Sequence, residues 1–150
     1  FYDGLKAQFR RMEDAGFLSS VGELADGSPA LSASHVENVF RTNALSAYNA
    51  GRADQMRQPA VMAKRPVWEI RGVDDDRTRP AHKAAHGKML LATDPFWLKA
   101  YPPFGFMCRD RIISRGPEYL SQVVSGSTIV GLPDEGFSSG LGSLLAPDPF

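Results

Sequence analysis

The chain has 150 residues, 43% of them hydrophobic and 10% aromatic, and its 17 basic and 17 acidic side chains cancel to zero formal charge. That is enough for one domain with a real core, and no run of eighteen apolar residues is present to span a bilayer. The single cysteine, Cys108, excludes an internal disulfide and a thiolate-rich zinc cage and fits a reducing compartment.

The charge is unevenly placed. Residues 52–115 hold thirteen Lys or Arg against seven Asp or Glu, a surplus of six, while residues 116–150 hold four acidic groups and no basic one. A basic middle of this kind suits phosphate or an acidic protein surface, and it equally suits a solvated mixed-charge face. The chain begins at Phe1, as a fragment or a processed chain would, and no stretch reads as a signal peptide.

Leu5, Phe9, Met12 and Phe17 recur at near-helical intervals, which predicts a first amphipathic helix over 2–15, ended by Gly16. Ser, Gly and Pro in "SSVGELADGSPA" read as a connection. A second helix follows, from a capping box of Ser34 and Glu37 to about Gln58, with Val36, Val39, Phe40, Ala44, Ala47 and Tyr48 along its apolar face. Asn43 interrupts that face, and its amide either bonds backbone from another segment or meets water.

Pro59 and Pro66 bracket a break, and "VWEIRGV" (67–73) then alternates as a strand with one apolar face. Thr78 or Asp76 would cap a short helix starting near Pro80 and closed by Gly87. "KMLLA" suits a second strand beside the first, and "FMCRDRIIS" a third, with the proline and aromatic stretch "TDPFWLKAYPPFG" looping over the sheet edge between them. "PEYLSQVVSG" reads as a short helix with Pro117 in its first turn. The rest is rich in Gly, Ser and Pro, and its scattered Ile129, Val130, Leu132, Phe137 and Leu141 suit a segment laid along another surface. The expected architecture is α+β: N-terminal helices packed on a small, mainly antiparallel sheet over residues 1–125, and an extended docking tail over 126–150.

The chemistry concentrates in "DDDRTRPAHKAAHGKML", residues 74–90. His82 and His86 stand four apart, the spacing of a two-histidine metal site on a helix. Lys83 replaces the acid that H-E-x-x-H requires, and Cys108 and Asp110 would complete a ligand set only if the third strand lay beside this helix. The plainer reading puts His82 in a polar turn and leaves His86 exposed, with no metal and no cofactor. Asp74, Asp75 and Asp76 suit a hard cation or a general base, but Arg77 and Arg79 are near enough to neutralise them, which favours ion pairing and helix capping. Two rival functions remain: a metal-dependent hydrolase or nuclease using His82, His86 and Asp76, and a DNA-contacting module using Arg77, Lys83 and Lys88 on phosphates. A Cys108 nucleophile paired with an upstream histidine is a further option, against the usual inertness of strand cysteines.

Three segments, in order, resemble the phage Mu F-like minor head proteins, also called the phage head morphogenesis domain: "FRTNALSAYNAGR", "DDDRTRPAHKAAHGKML" and "DPFWLKAYPPFGFMCRDR". "PDEGF" is similar to a fourth motif, and together they cover about residues 35–140. Where the family usually closes with C-R-C, this chain has Cys108, Arg109 and Asp110. The resemblance implies a structural polar centre of Asp76, Arg77, Arg79, His82, Cys108 and Arg109, in which Arg79 and His82 fasten the acidic turn to the strand ending at Cys108. It also implies a non-enzymatic minor component of a tailed-phage head, assembled in the bacterial cytoplasm. Its partners would be the portal or major capsid protein and, non-specifically, packaged DNA, with no membrane.

Overall fold

A computed structural model describes residues 33–137 together with Arg11, Asp14, Gly140 and Leu141. The chain falls into two units, Phe1–Arg41 and Thr42–Phe150. Arg11 and Asp14 are helical; the rest of the helix expected over 2–15 lies outside the described residues, as does the connection after it.

Helix α1 (Ala33–Arg57) runs to the residue before Gln58, and Pro59 then opens a second short helix, α2 (Pro59–Lys64). Proline lacks the N–H that would continue α1, but it fits the first turn of a new helix, so the expected break is a kink between two helices. Ser34 stands inside α1 rather than at its cap, and Glu37 pairs forward with Arg41 at 2.8 Å. The buried face also differs from the expected one. Val39, Ala44, Ala47 and Tyr48 are exposed, and the side chains that enter the core are Ala53 and Met56, with Asn49 fully buried beside them. Asn43 is exposed.

Three strands form an antiparallel sheet in the order β2-β1-β3: β1 Val67–Arg71, β2 Met89–Leu91 and β3 Arg111–Arg115. The register pairs Trp68 with Leu90 and with Ser114, and Ile70 with Ile112. As the central strand, β1 is buried on both faces from Val67 to Ile70, not on one. Glu69, which alternation would place in solvent, is 1% exposed and held by Arg71 at 2.7 Å and Arg115 at 2.6 Å. Two paired guanidinium groups make that burial tolerable. The outer edge of β3 meets α1 and α2 through two more guanidinium groups: Arg52 donates to the Ile112 carbonyl at 3.2 Å and Arg65 to that of Ser114 at 3.1 Å.

The third strand begins later than its alternation suggests. A turn at Phe106 and Met107, with Met107 in the left-handed region (φ 55°), is followed by residues 108–110 outside any strand, so Cys108 precedes β3 and does not end it. The stretch between β2 and β3 departs further from expectation. It folds into a short helix, α4 (Phe96–Lys99), and carries the core itself. Trp97, Ala100, Tyr101 and Phe104 are buried to within 1%. Trp68 packs against Trp97 at 5.4 Å between ring centroids and against Tyr101 at 5.9 Å, and the Trp97 indole N–H donates to the Leu91 carbonyl at 2.8 Å.

After β3 come two 3-10 turns, Pro117–Gln122 and Gly126–Thr128. Ile129 and Leu141 lie in the same core and Leu132 packs against it, so this chain itself covers them; Val130 is 78% exposed. Phe137 meets Phe106 at 5.1 Å. Helices beside a small antiparallel sheet make the fold α+β, as expected.

Candidate functional site

The polar centre is assembled from four pieces of chain. Helix α3 (Pro80–Ala85) starts after Arg79 with proline in its first turn and no side-chain cap, so neither Thr78 nor Asp76 caps it. It ends at His86, followed by Gly87 at φ 78°, where a side chain would be strained. His82 and Ala85 are the residues of α3 that face inward, and His82 is 3% exposed. Its Nδ1 meets the Asp110 carboxylate in a very short contact, and its Nε2 lies 3.1 Å from Oδ1 of Asp134. Asp110, just before β3, is 2% exposed.

Cys108 closes the group. Its Sγ lies 3.2 Å from Oδ2 of Asp110 and 3.9 Å from His82 Nδ1, and it accepts from the backbone N–H groups of Phe104 at 3.3 Å and Asp110 at 3.4 Å. Asp134 is anchored from its other side by Arg79, which also donates to the Phe106 carbonyl. Gly105 leaves room at this crossing, because a Cβ there would displace the Asp134 carboxylate and the Arg79 guanidinium.

A second knot fixes the acidic turn. Arg109 grips Asp75 with two hydrogen bonds of 2.6 Å, the bidentate geometry that suits guanidinium and carboxylate, and also donates to the Thr78 hydroxyl at 3.1 Å. Thr78 bonds the Val73 carbonyl, and Arg77 lends its backbone N–H to Asp75 at 3.1 Å.

Charge follows from these contacts. Burial alone would drive His82 toward its neutral form, but hydrogen bonds with Asp110, Cys108 and Asp134 outweigh it and push the imidazole up to about 10. Hydrogen bonding to Arg109 holds the Asp75 carboxyl well below the usual carboxylate range, against the desolvation that opposes it. Lys83 lowers Asp74 in the same way, and Asp74 raises Lys83.

Of the residues singled out in the sequence, the structure brings together Arg79, His82, Cys108 and Asp110, with Arg109 on the neighbouring knot. Asp76 is exposed, and Asp75 holds the place expected for it. The four-residue spacing does not bring His86 to the centre: its Nδ1 is buried beside Gly72 without a hydrogen-bond partner. His82, Cys108 and Asp110 are the group of buried donors, all within 4.8 Å of one another, that the described residues offer to a metal ion. Among the candidate phosphate contacts, Arg77 is 84% exposed, Lys83 is paired with Asp74 at 2.9 Å and Lys88 is half-buried. Asp134 was missed as a partner. Its one signal was its place in "PDEGF", 52 residues from His82.

The arrangement is a set of mutual hydrogen bonds tying α3, the 104–110 turn and the 134 segment together, with the aromatic core against its side. His82 and Phe104 ring centroids are 6.0 Å apart. This frame occurs in a chain that belongs to the Phage Mu protein F like protein family, whose model matches residues 4–113.

Two curated relatives are similar. The Mu-like prophage FluMu F protein of Haemophilus influenzae is 40% identical over 90 residues, and Putative capsid assembly protein F of Escherichia phage Mu is 38% identical over 90 residues. Each match takes in 60% of this chain, which spans about a fifth of either relative's length (20% and 19%). No solved structure matches. No helix among the described residues is long and apolar enough to cross a membrane.

Proposed function

We propose that this chain acts as a structural part of a phage head, a minor component that docks on other head proteins and turns over no substrate. The observation that carries this reading is the spending of charge inside the "DDDRTRPAH" segment and its partners. Arg109 is taken by Asp75, Arg79 by Asp134 and His82 by both Asp110 and Asp134, so these groups position backbone. The rival hydrolase needs His82, His86 and Asp76 around one ion, and Asp76 is on the surface. The relative named as a capsid assembly protein supports the same direction.

Within that reading, the partners are the portal or the major capsid protein, assembly takes place in the host cytoplasm, and the protein contributes to packaging or delivering the genome. Docking falls to what the core leaves exposed; among the apolar side chains of residues 126–137, Val130 is the most open. Phage DNA is a secondary partner through Arg77, the most exposed of the three candidate cations. Heads purified by sedimentation from producing cells, probed with an antibody to this chain, test the proposal. The expected result is co-sedimentation with heads through high salt. A chain that stays in the soluble fraction while complete heads form without it overturns the reading.

A further inference from the structure

We propose that His82, Cys108 and Asp110 bind one divalent cation of the zinc class, with Asp134 positioning the histidine. The donor atoms Nδ1, Sγ and Oδ2 all lie within 4.8 Å of one another and all three residues are buried. Ligand atoms about 2.0–2.3 Å from a tetrahedral ion are separated from one another by about 3.5 Å. The observed Sγ to Oδ2 distance of 3.2 Å and Sγ to Nδ1 distance of 3.9 Å straddle that value. The closer Nδ1 to Oδ2 approach opens when an ion replaces the proton between them.

Two features outside the donor set point the same way. Asp134 takes the other ring nitrogen of His82, the carboxylate–histidine pairing that fixes the tautomer and turns the metal-binding nitrogen inward. The Cys108 sulfur accepts backbone N–H groups from both Phe104 and Asp110, which fixes its place against the other two donors. Beside the three donors lies a cavity of about 20 Å³, also lined by Thr78, Arg77, Arg79 and Arg109. That is room for one water as the fourth ligand.

Charge balances as well. A divalent ion with the Arg79 guanidinium offsets the Cys108 thiolate and the Asp110 and Asp134 carboxylates. A mixed sulfur, nitrogen and oxygen set selects zinc over magnesium or calcium, which take oxygen alone. Uptake releases to solvent the thiol proton of Cys108 and the Nδ1 proton that His82 holds against Asp110, with no change of oxidation state.

An ion would replace the His82–Asp110 contact and leave Arg109 on Asp75 and Arg79 on Asp134, so the head-assembly reading and this inference fail separately. The chain, stripped with chelator and shown to be folded by circular dichroism, is titrated with Co²⁺ and then Zn²⁺. The expected result is one equivalent bound, tetrahedral d–d absorption and a thiolate-to-cobalt charge-transfer band, all displaced by zinc. Cys108 is the single cysteine, so that band reports this thiolate and no other. Asp134→Asn should keep the band and weaken zinc binding by about 10–100-fold, while His86→Ala leaves both unchanged. Where Cys108→Ser fails to fold, the parent spectrum still decides. A folded chain without the band at saturating cobalt, or a band lost in His86→Ala, overturns the proposed ligand set.

Discussion

The aromatic core and the polar centre share a border at Phe104, but they are held by different forces. Trp68, Trp97 and Tyr101 gain from burial in proportion to area, with little demand on direction. His82, Asp110 and Asp134 gain only when each partner is present and correctly aimed, because His82 and Asp110 are costly to bury alone. The first should tolerate changes that keep volume. The second should fail on loss of a single group.

The largest effect is expected from Trp97→Ala, which removes a side chain 1% exposed together with its bond to the Leu91 carbonyl. It should cost about 3–5 kcal/mol in denaturant unfolding, and Trp97→Phe clearly less. Equal losses for the two would mean that the indole hydrogen bond, and not packing, holds this region.

His82→Gln should cost about 1–3 kcal/mol. It nearly keeps volume and removes the imidazole that serves two carboxylates, so unfolding at the parent's denaturant midpoint would erase the contrast between the regions. Gly105→Ala sharpens it from the other side. The added methyl group displaces Asp134 and Arg79 without touching the aromatic rings, and a cost of roughly 1–3 kcal/mol is expected.

Acid should act on the polar knots first. The folded-state pKa of Asp75 is depressed below its unfolded value of 3.8 by Arg109. Its contribution is therefore complete above 3.8 and is lost as pH falls through the folded-state value. In melting curves from about pH 5 to about pH 2, the difference between the parent chain and Arg109→Ala should shrink; a constant difference would show that the pair adds no pH-dependent stability. The smallest change is expected at the surface: Asp76→Asn and Tyr48→Ala should shift stability by less than about 0.5 kcal/mol.

The sequence disclosed those features whose signal is local. Alternation located β1, and the apolar run after Gly87 located β2; Pro59 and Gly87 located two helix ends. The order of the motifs pointed to the family. What stayed hidden depends on distant contacts. Three successive aspartates are equivalent until the turn selects Asp75 for Arg109. Asp134 pairs with His82 across 52 residues, and no period connects them. The stripe on α1 was misplaced because alanine and tyrosine carry little contrast between faces, and the side that turned inward contains Asn49. The stretch 93–105 looked like a loop for its prolines, yet its aromatic rings outweighed them and became the core.

The guanidinium groups that reach β3 from the helices carry one more consequence. β3 is an outer strand, and its outward carbonyls at Ile112 and Ser114 already accept hydrogen bonds from Arg52 and Arg65. A strand offered by a neighbouring molecule would have to strip away both arginines before it could zip on. Where many copies are crowded side by side, the β3 edge therefore resists pairing from one molecule into the next.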